Sequence, residues 1–242
     1  SGRRLADHAQ RILAEGQAAE EAARDETAEL SGTVRLGAPM NFGLLRIAPL
    51  IAQFTKENPL VDVDLHLSDA KIDIVELGLD ATIRIADMPD SSLRARRLAD
   101  VHMHVVASPA YLAAHGTPRC VADLGAHNCL SYTLASSNAP DEWSFGPGGA
   151  VKVPLAGNLR ANNGDALVAA AVAGQGIISQ PTFILCDDLR AGRLVALDLD
   201  HPATELDGVF AVWPGDRRPP ARLRAFLDWA ADRFGQVPPW DP

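Results

Sequence analysis

The 242-residue sequence has little of what would staple a chain covalently or carry it into a membrane. Its 3 cysteines, Cys120, Cys129 and Cys186, are odd in number and lack any CxxC spacing, which argues against a disulfide framework and a zinc site and for reduced thiols. Apolar runs such as residues 166–173 fall far short of the roughly 20 residues that span a bilayer, and no charged-then-apolar leader with a cleavage site is present. The expectation is a cytoplasmic protein with no membrane attachment. Basic residues are outnumbered, 22 to 31, for a formal net charge of -9. A chain that holds nucleic acid over its own surface is normally basic, so these residues alone should bind DNA poorly. Also missing are a nucleophile elbow, an HExxH, a phosphate loop and a paired-carboxylate motif. No enzymatic activity and no cofactor are expected.

What is present is a chain 47% hydrophobic, long enough for one large domain or two small lobes with a substantial core. Its organising stretch is residues 33–67. Val34, Leu36 and Ala38 alternate with polar or small partners, as do Val61, Val63, Leu65 and Leu67 with Asp62, Asp64 and His66, which is the period of a strand. Between them Leu44, Leu45, Ile47, Ala48, Ile51, Ala52 and Phe54 recur at helical spacing, and Asn58-Pro59 ends the run. This is a βαβ unit. Pro49 fits best near the first helical turn, where its missing N–H costs least. Asn41 then stands just outside the helix start, placed to cap orphan amides or to leave them facing a ligand anion.

The first 30 residues differ from the rest. They hold no proline, alternate in charge, and carry Leu5, Ile12, Ala19, Ala23 and Leu30 on a heptad-like seam that also includes Ala9 and Gly16. As a continuous helix, residues 5–30 would span roughly 39 Å at about 1.5 Å per residue. Small residues along the seam permit close approach to a second chain but weak burial. Self-association through this helix is expected.

Further along, the pattern predicts a short helix over residues 72–79 closed by Gly78, and a buried strand over 81–85 that adds a third parallel strand. Extended segments follow over 93–98 and 101–107, then a helix opened by Ser108-Pro109 and stopped at Gly116. His102 and His104 share a strand face, but no third metal ligand lies at a credible spacing, so no metal site is expected. A second β/α block covers residues 129–197: short strands over 129–132, 143–145, 151–155 and 158–161, a helix over 164–173, another over 181–189 and a strand over 194–197. Asn162-Asn163 before the first of these helices repeats the arrangement at Asn41. Gly174-Gln175-Gly176 superficially resembles a dinucleotide fingerprint, yet it leaves a helix and enters a strand, the reverse of what that motif needs. A last strand over 209–213 and an amphipathic helix over 219–234 have no lobe of their own and should return to the first. Two lobes then enclose a cleft into which both capped helix starts look.

Several stretches are similar to LysR-type transcriptional regulators: FTKENP closing the first helix, LDATIRIADMPDSSLRARRLAD, ASPAYLAAHGTP at the lobe crossing and GDALVAAAVAGQGIISQP. The resemblance covers nearly the whole chain. It implies an α/β fold of two Rossmann-like lobes, periplasmic-binding-protein-like (type 2), behind an N-terminal linker helix. It also implies dimers or tetramers, and DNA contact only through a winged helix-turn-helix preceding these residues. The domain expectation is a linker helix at 1–31, lobe I at 32–107 with 208–242, and lobe II at 108–207. Function would be the sensing of a small, anionic metabolite between the lobes to modulate transcription in a bacterial cell. Met40, Asn41, Phe42, Arg84, Asn162, Asn163 and Ser179 are the candidate effector-binding residues. Arg84 can pair bidentately with a ligand carboxylate or neutralise Asp87. Pro39-Met40-Asn41 departs from the small hydroxyl residue common at that position. A free-standing solute-binding protein would share the lobes and cleft, but leaves the N-terminal helix without a purpose.

Overall fold

The computed structural model describes residues 29–70, 73–85, 93–134, 142–215 and 219–241. Leu5, Ile12, Ala19, Ala23 and Asp87 lie outside the described residues. Leu30 lies within them and packs, partly buried, against the core of its own chain.

Strand β1 (Gly32–Ala38) leads into a helical run, α1, over residues 40–57. Strand β2 (Val61–Leu67) returns parallel to β1, with Gly32 opposite Val61 and Ala38 opposite Leu67. The helix starts nine residues before Pro49, earlier than the proline suggested. A π turn, Gly43–Ile47, precedes it directly, with the Ala48 N–H reaching back to the Gly43 carbonyl. That wider turn shifts the carbonyl a proline ring would otherwise strike, and Pro49 becomes the second residue of the α-helical segment Ala48–Glu57. A Cβ on Gly43 would stand 2.2 Å from Leu67 Cδ2 and force that side chain to move.

The helix expected over 72–79 is a single turn instead. Asp73 Oδ1 accepts from the N–H groups of Val75 (2.9 Å) and Glu76 (3.1 Å), and Leu79 N–H bonds back to the Ile74 carbonyl (2.9 Å) across Gly78 at φ +61. Start and stop signals so close together leave no room for a second turn.

Strands β3 (Ala81–Ile85), β4 (Leu93–Ala99) and β5 (Met103–Ala107) come next, then α2 (Pro109–His115), capped by Ser108 Oγ accepting from Tyr111 N–H (3.3 Å). Short strands β6 (Ser131–Tyr132), β7 (Glu142–Phe145), β8 (Val151–Pro154) and β9 (Arg160–Ala161) precede α3 (Gly164–Val172). Strand β10 (Ile177–Pro181), α4 (Thr182–Arg190), β11 (Val195–Ala196), β12 (Val209–Pro214) and α5 (Ala221–Phe234) complete the order.

The larger sheet runs β2-β1-β3-β12-β4, with β12 antiparallel to both neighbours. The second runs β10-β5-β11, with Ala107 opposite both Ile177 and Val195. Strand β5, expected beside β4, thus belongs to the second sheet, and the first crossing lies at residues 100–102 rather than after Ala107. Below, lobe I denotes the part built on the five-stranded sheet and lobe II the part built on the three-stranded one. Lobe I's core joins Val34, Leu36 and Ala38 of β1, Ile47 and Phe54 of α1, and Leu223, Phe226, Leu227 and Ala230 of α5. Phe54 meets Phe226 edge to face at 5.3 Å. Phe183 and Cys186, from α4, belong to the same core.

Candidate functional site

The carboxyl ends of β1 and β2 bring Pro39-Met40-Asn41 and Ser68-Asp69 together. Met40 N–H donates to Asp69 Oδ1 at 2.8 Å. Asp69 therefore caps α1, and Asn41 is not the capping residue: it lies inside the first turn, and Pro39 before it has no side chain to offer. The amide expected to face a ligand anion is already held by a carboxylate.

Asn163 does cap, with Oδ1 accepting from Ala166 N–H at 3.1 Å. Its Nδ2 donates to Asn41 Oδ1 at 3.1 Å, so the starts of α1 and α3 are joined directly across the two lobes. Asn41 is only 5% exposed, and its Nδ2 is buried without an acceptor. Tyr132, on β6 of lobe II, faces the same place. Burial pushes its phenol up to about 12, with a further upward push from the negative charge of Asp69.

The other expected residues divide. Met40 is exposed and Asn162 is exposed beside Asn163. Arg84 and Ser179 are half-buried on β3 and β10, opposite Phe210 and Val105 respectively. The parallel register, Gly37 opposite Thr82, carries Arg84 to the level of residue 39, near the start of α1. Phe42 is corrected to a packing residue. Its ring has no exposed surface and sits among Phe183 (5.1 Å), Phe234 (6.0 Å) and Trp240 (5.6 Å).

That aromatic group is a second junction between the lobes. Phe42, Phe234 and Trp240 come from lobe I and its tail, and Phe183 from α4. Arg46 of α1 reaches into it, donating from Nη2 to the Phe183 carbonyl (2.7 Å) and to Cys186 Sγ (2.9 Å), with its guanidinium 5.5 Å from the Trp240 ring centre. The tail is tied again by Thr182 Oγ1 donating to Asp241 Oδ1 (2.5 Å) and Arg190 Nη2 to the Pro239 carbonyl (2.9 Å). Sequence reasoning missed Asp69, Tyr132, Arg46 and Trp240. Of these, only Asp69 carried a local signal, as a capping residue just past a strand end.

His102 and His104 line a cavity of about 450 Å³ beside this tail, together with Asp100, Glu205 and Asp241. His102 approaches Glu205 (3.6 Å) and Asp241 (3.7 Å). Among the described residues no three His, Cys, Asp or Glu side chains are grouped to hold a metal ion.

The family described as the LysR substrate binding domain matches residues 27–235. The chain is 31% identical over 227 residues to the HTH-type transcriptional regulator CrgA of Neisseria meningitidis serogroup B, covering 94% of this chain and 75% of that protein. It is 33% identical over 233 residues to the HTH-type transcriptional regulator PtxR of Pseudomonas aeruginosa, covering 95% and 73%. Among solved structures, the CrgA regulatory domain superposes with a TM-score of 0.75 at 30% identity, covering 85% of this chain and 100% of that one. The full-length Vibrio cholerae virulence activator AphB does so with a TM-score of 0.71 at 25% identity, covering 96% and 78%.

Proposed function

This chain belongs to the LysR substrate binding domain family, and on that premise we propose how it senses: a small molecule binds between the lobes, against Asn41 and Asn163, and changes how the lobes close. The family is one of transcriptional regulators and not of enzymes, its fold is the type 2 periplasmic-binding-protein-like α/β fold, and the chain is an effector-sensing regulatory domain. A free-standing solute-binding protein is the less favoured reading.

The observation that carries the site is the direct Asn163–Asn41 hydrogen bond at 3.1 Å. It joins the starts of two helices from different lobes, and one of its partners keeps an unpaired buried donor. In this reading Met40, Asn162, Ser179 and Arg84 surround the pair, and Arg84 takes an acidic group on the effector. The lobes divide at residues 100–102, with β5 on the lobe II side, and again near 208. Chains pair into dimers or tetramers through the seam of Leu5, Ile12, Ala19, Ala23 and Leu30. DNA is contacted by a helix-turn-helix outside these residues, in the cytoplasm. A ligand that carries such an assembly from 1:99 to 99:1 must prefer one state by about 5.5 kcal/mol, within reach of a few charge-assisted hydrogen bonds in a closed cleft.

A thermal-shift screen of this chain against small polar metabolites of mixed charge tests the proposal. It should yield a stabilising ligand whose affinity falls in Asn41→Ala, Asn163→Ala and Arg84→Gln. If the three variants bind that ligand as the parent does, the asparagines are ordinary structural residues and the site lies elsewhere.

A further inference from the structure

Asn163 spends its Oδ1 on the Ala166 N–H at the start of α3. Only its Nδ2 is left to face lobe I. An amide nitrogen donates and does not accept, so Asn41 must present Oδ1 to it, as observed at 3.1 Å. Both amide orientations follow from the cap, and they leave Asn41 Nδ2 as an obligate donor in a residue only 5% exposed, with no acceptor in reach. An unpaired buried donor is costly, and it marks the atom a ligand acceptor would satisfy.

One residue earlier in α1, the Met40 N–H is held by Asp69 Oδ1 at 2.8 Å. The second oxygen, Oδ2, has no hydrogen-bond or ion-pair partner among the described residues. The positive end of the α1 dipole is thus already matched by a full negative charge. A second carboxylate brought to Asn41 would meet that charge at short range, with no described cation bonded to it in compensation. Across the lobes, burial and then the same charge of Asp69 disfavour a negative charge on Tyr132, which stays a neutral phenol.

Resting on the small-molecule reading above, we infer that the effector presents a carboxamide-like group at this end of the cleft: a carbonyl oxygen to Asn41 Nδ2 and an adjacent N–H to Asp69, and not a carboxylate. This limits where an acidic group on the effector can sit. It must lie on the β3 side of Asn41, by Arg84, away from Asp69, which follows β2 on the other side of β1.

Acetamide and acetate are nearly the same shape and differ in the feature at issue, so they serve as probes on the full 242-residue chain. Each is titrated while the Asn41 side-chain amide is followed by nuclear magnetic resonance, in the parent and in Asp69→Asn. The asparagine keeps an oxygen to cap Met40, and Asp69→Ser, another capping residue, replaces it if that variant does not fold. Acetamide should move the Asn41 signal saturably in the parent, with acetate binding about tenfold more weakly or not at all, as expected for one charge-assisted contact replaced by a repulsive one. In Asp69→Asn acetate should gain and the preference should narrow or reverse. Acetate acting at lower concentration than acetamide in the parent overturns the inference, as does an Asp69→Asn variant that ranks the two probes as the parent does, silence from both included. A stabilising metabolite found to place its carboxylate on Asn41 would defeat this inference alone and leave small-molecule sensing intact. A metabolite screen with no ligand at all would defeat the sensing reading itself.

Discussion

The two lobes touch at a polar junction and at an aromatic one. At the first, a single neutral hydrogen bond links Asn163 to Asn41 and leaves a buried donor unpaired. At the second, Phe42, Phe183, Phe234 and Trp240 pack edge to face or tilted, with Arg46 and the tail bonded onto α4, and lobe I's core runs on into Phe183 and Cys186. A neutral hydrogen bond is worth about 0.5–1.5 kcal/mol net, whereas burying one large aromatic ring contributes about 1.5–3 kcal/mol from area alone. On the proposed reading, the aromatic junction is the one that holds the lobes, and the asparagine junction is the one a ligand would part at small cost.

The largest expected effect breaks the aromatic junction. Trp240 is 1% exposed, and Trp240→Ala should lower unfolding stability by about 3–5 kcal/mol, the usual range for emptying a buried aromatic site. Urea denaturation measures this, and small-angle scattering should show a wider spread of lobe arrangements. A loss below about 1 kcal/mol would mean that the aromatic junction does not hold the lobes.

A smaller effect is expected at the asparagine junction. Asn163→Ala removes the cap of α3 and the bond to Asn41 together, and should cost about 1 kcal/mol, most of it from the cap. Comparing it with Asn163→Asp, which keeps the cap but replaces the donor with a carboxylate, separates the two contributions. The lobes' polar contact is the minor part if Asn163→Asp stays within about 0.5 kcal/mol of the parent, and a much larger loss would make this junction the stronger one.

The finest test reads a titration, in a background that gives up the Tyr111 hydroxyl's bond from Asn128 N–H at a cost of about 1 kcal/mol. With Tyr111→Phe, Tyr132 is the remaining one of 2 tyrosines, and its phenolate absorbance should rise with a midpoint of about 12. Because the folded value is raised, the unfolded phenol ionises first. Stability is therefore full below about 10, the ordinary tyrosine value, and declines as pH climbs from there towards about 12. Asp69→Asn should lower the midpoint by removing the nearby charge, while burial keeps it above the ordinary value. An unchanged midpoint would place Asp69 too far from Tyr132 to shape the cleft.

Much of this was legible without coordinates where the cause is local. The alternation of Val34, Leu36 and Ala38, the Ser108-Pro109 helix opening and the Asn163 cap each depend on neighbours within a few residues, and each stands as read. Reading failed where two local signals competed. Pro49 argued for a late helix start, and a π turn resolved the clash instead. Leu77-Gly78 resembled a helix end, yet Asp73 closed the segment into one turn.

By itself, the sequence determined the class of fold, the order of its elements and Asn163 as a helix cap, because hydrophobic period and capping chemistry act over a handful of positions. Only the tertiary structure decided that Asp69 caps α1 from 29 residues away, that Asn41 meets Asn163 at a separation of 122, and that Phe42 faces Phe183 rather than a ligand. No periodicity records such pairings. They are settled when the sheets bring distant strand ends to one place, and there an Asp, a Tyr and two Asn come together.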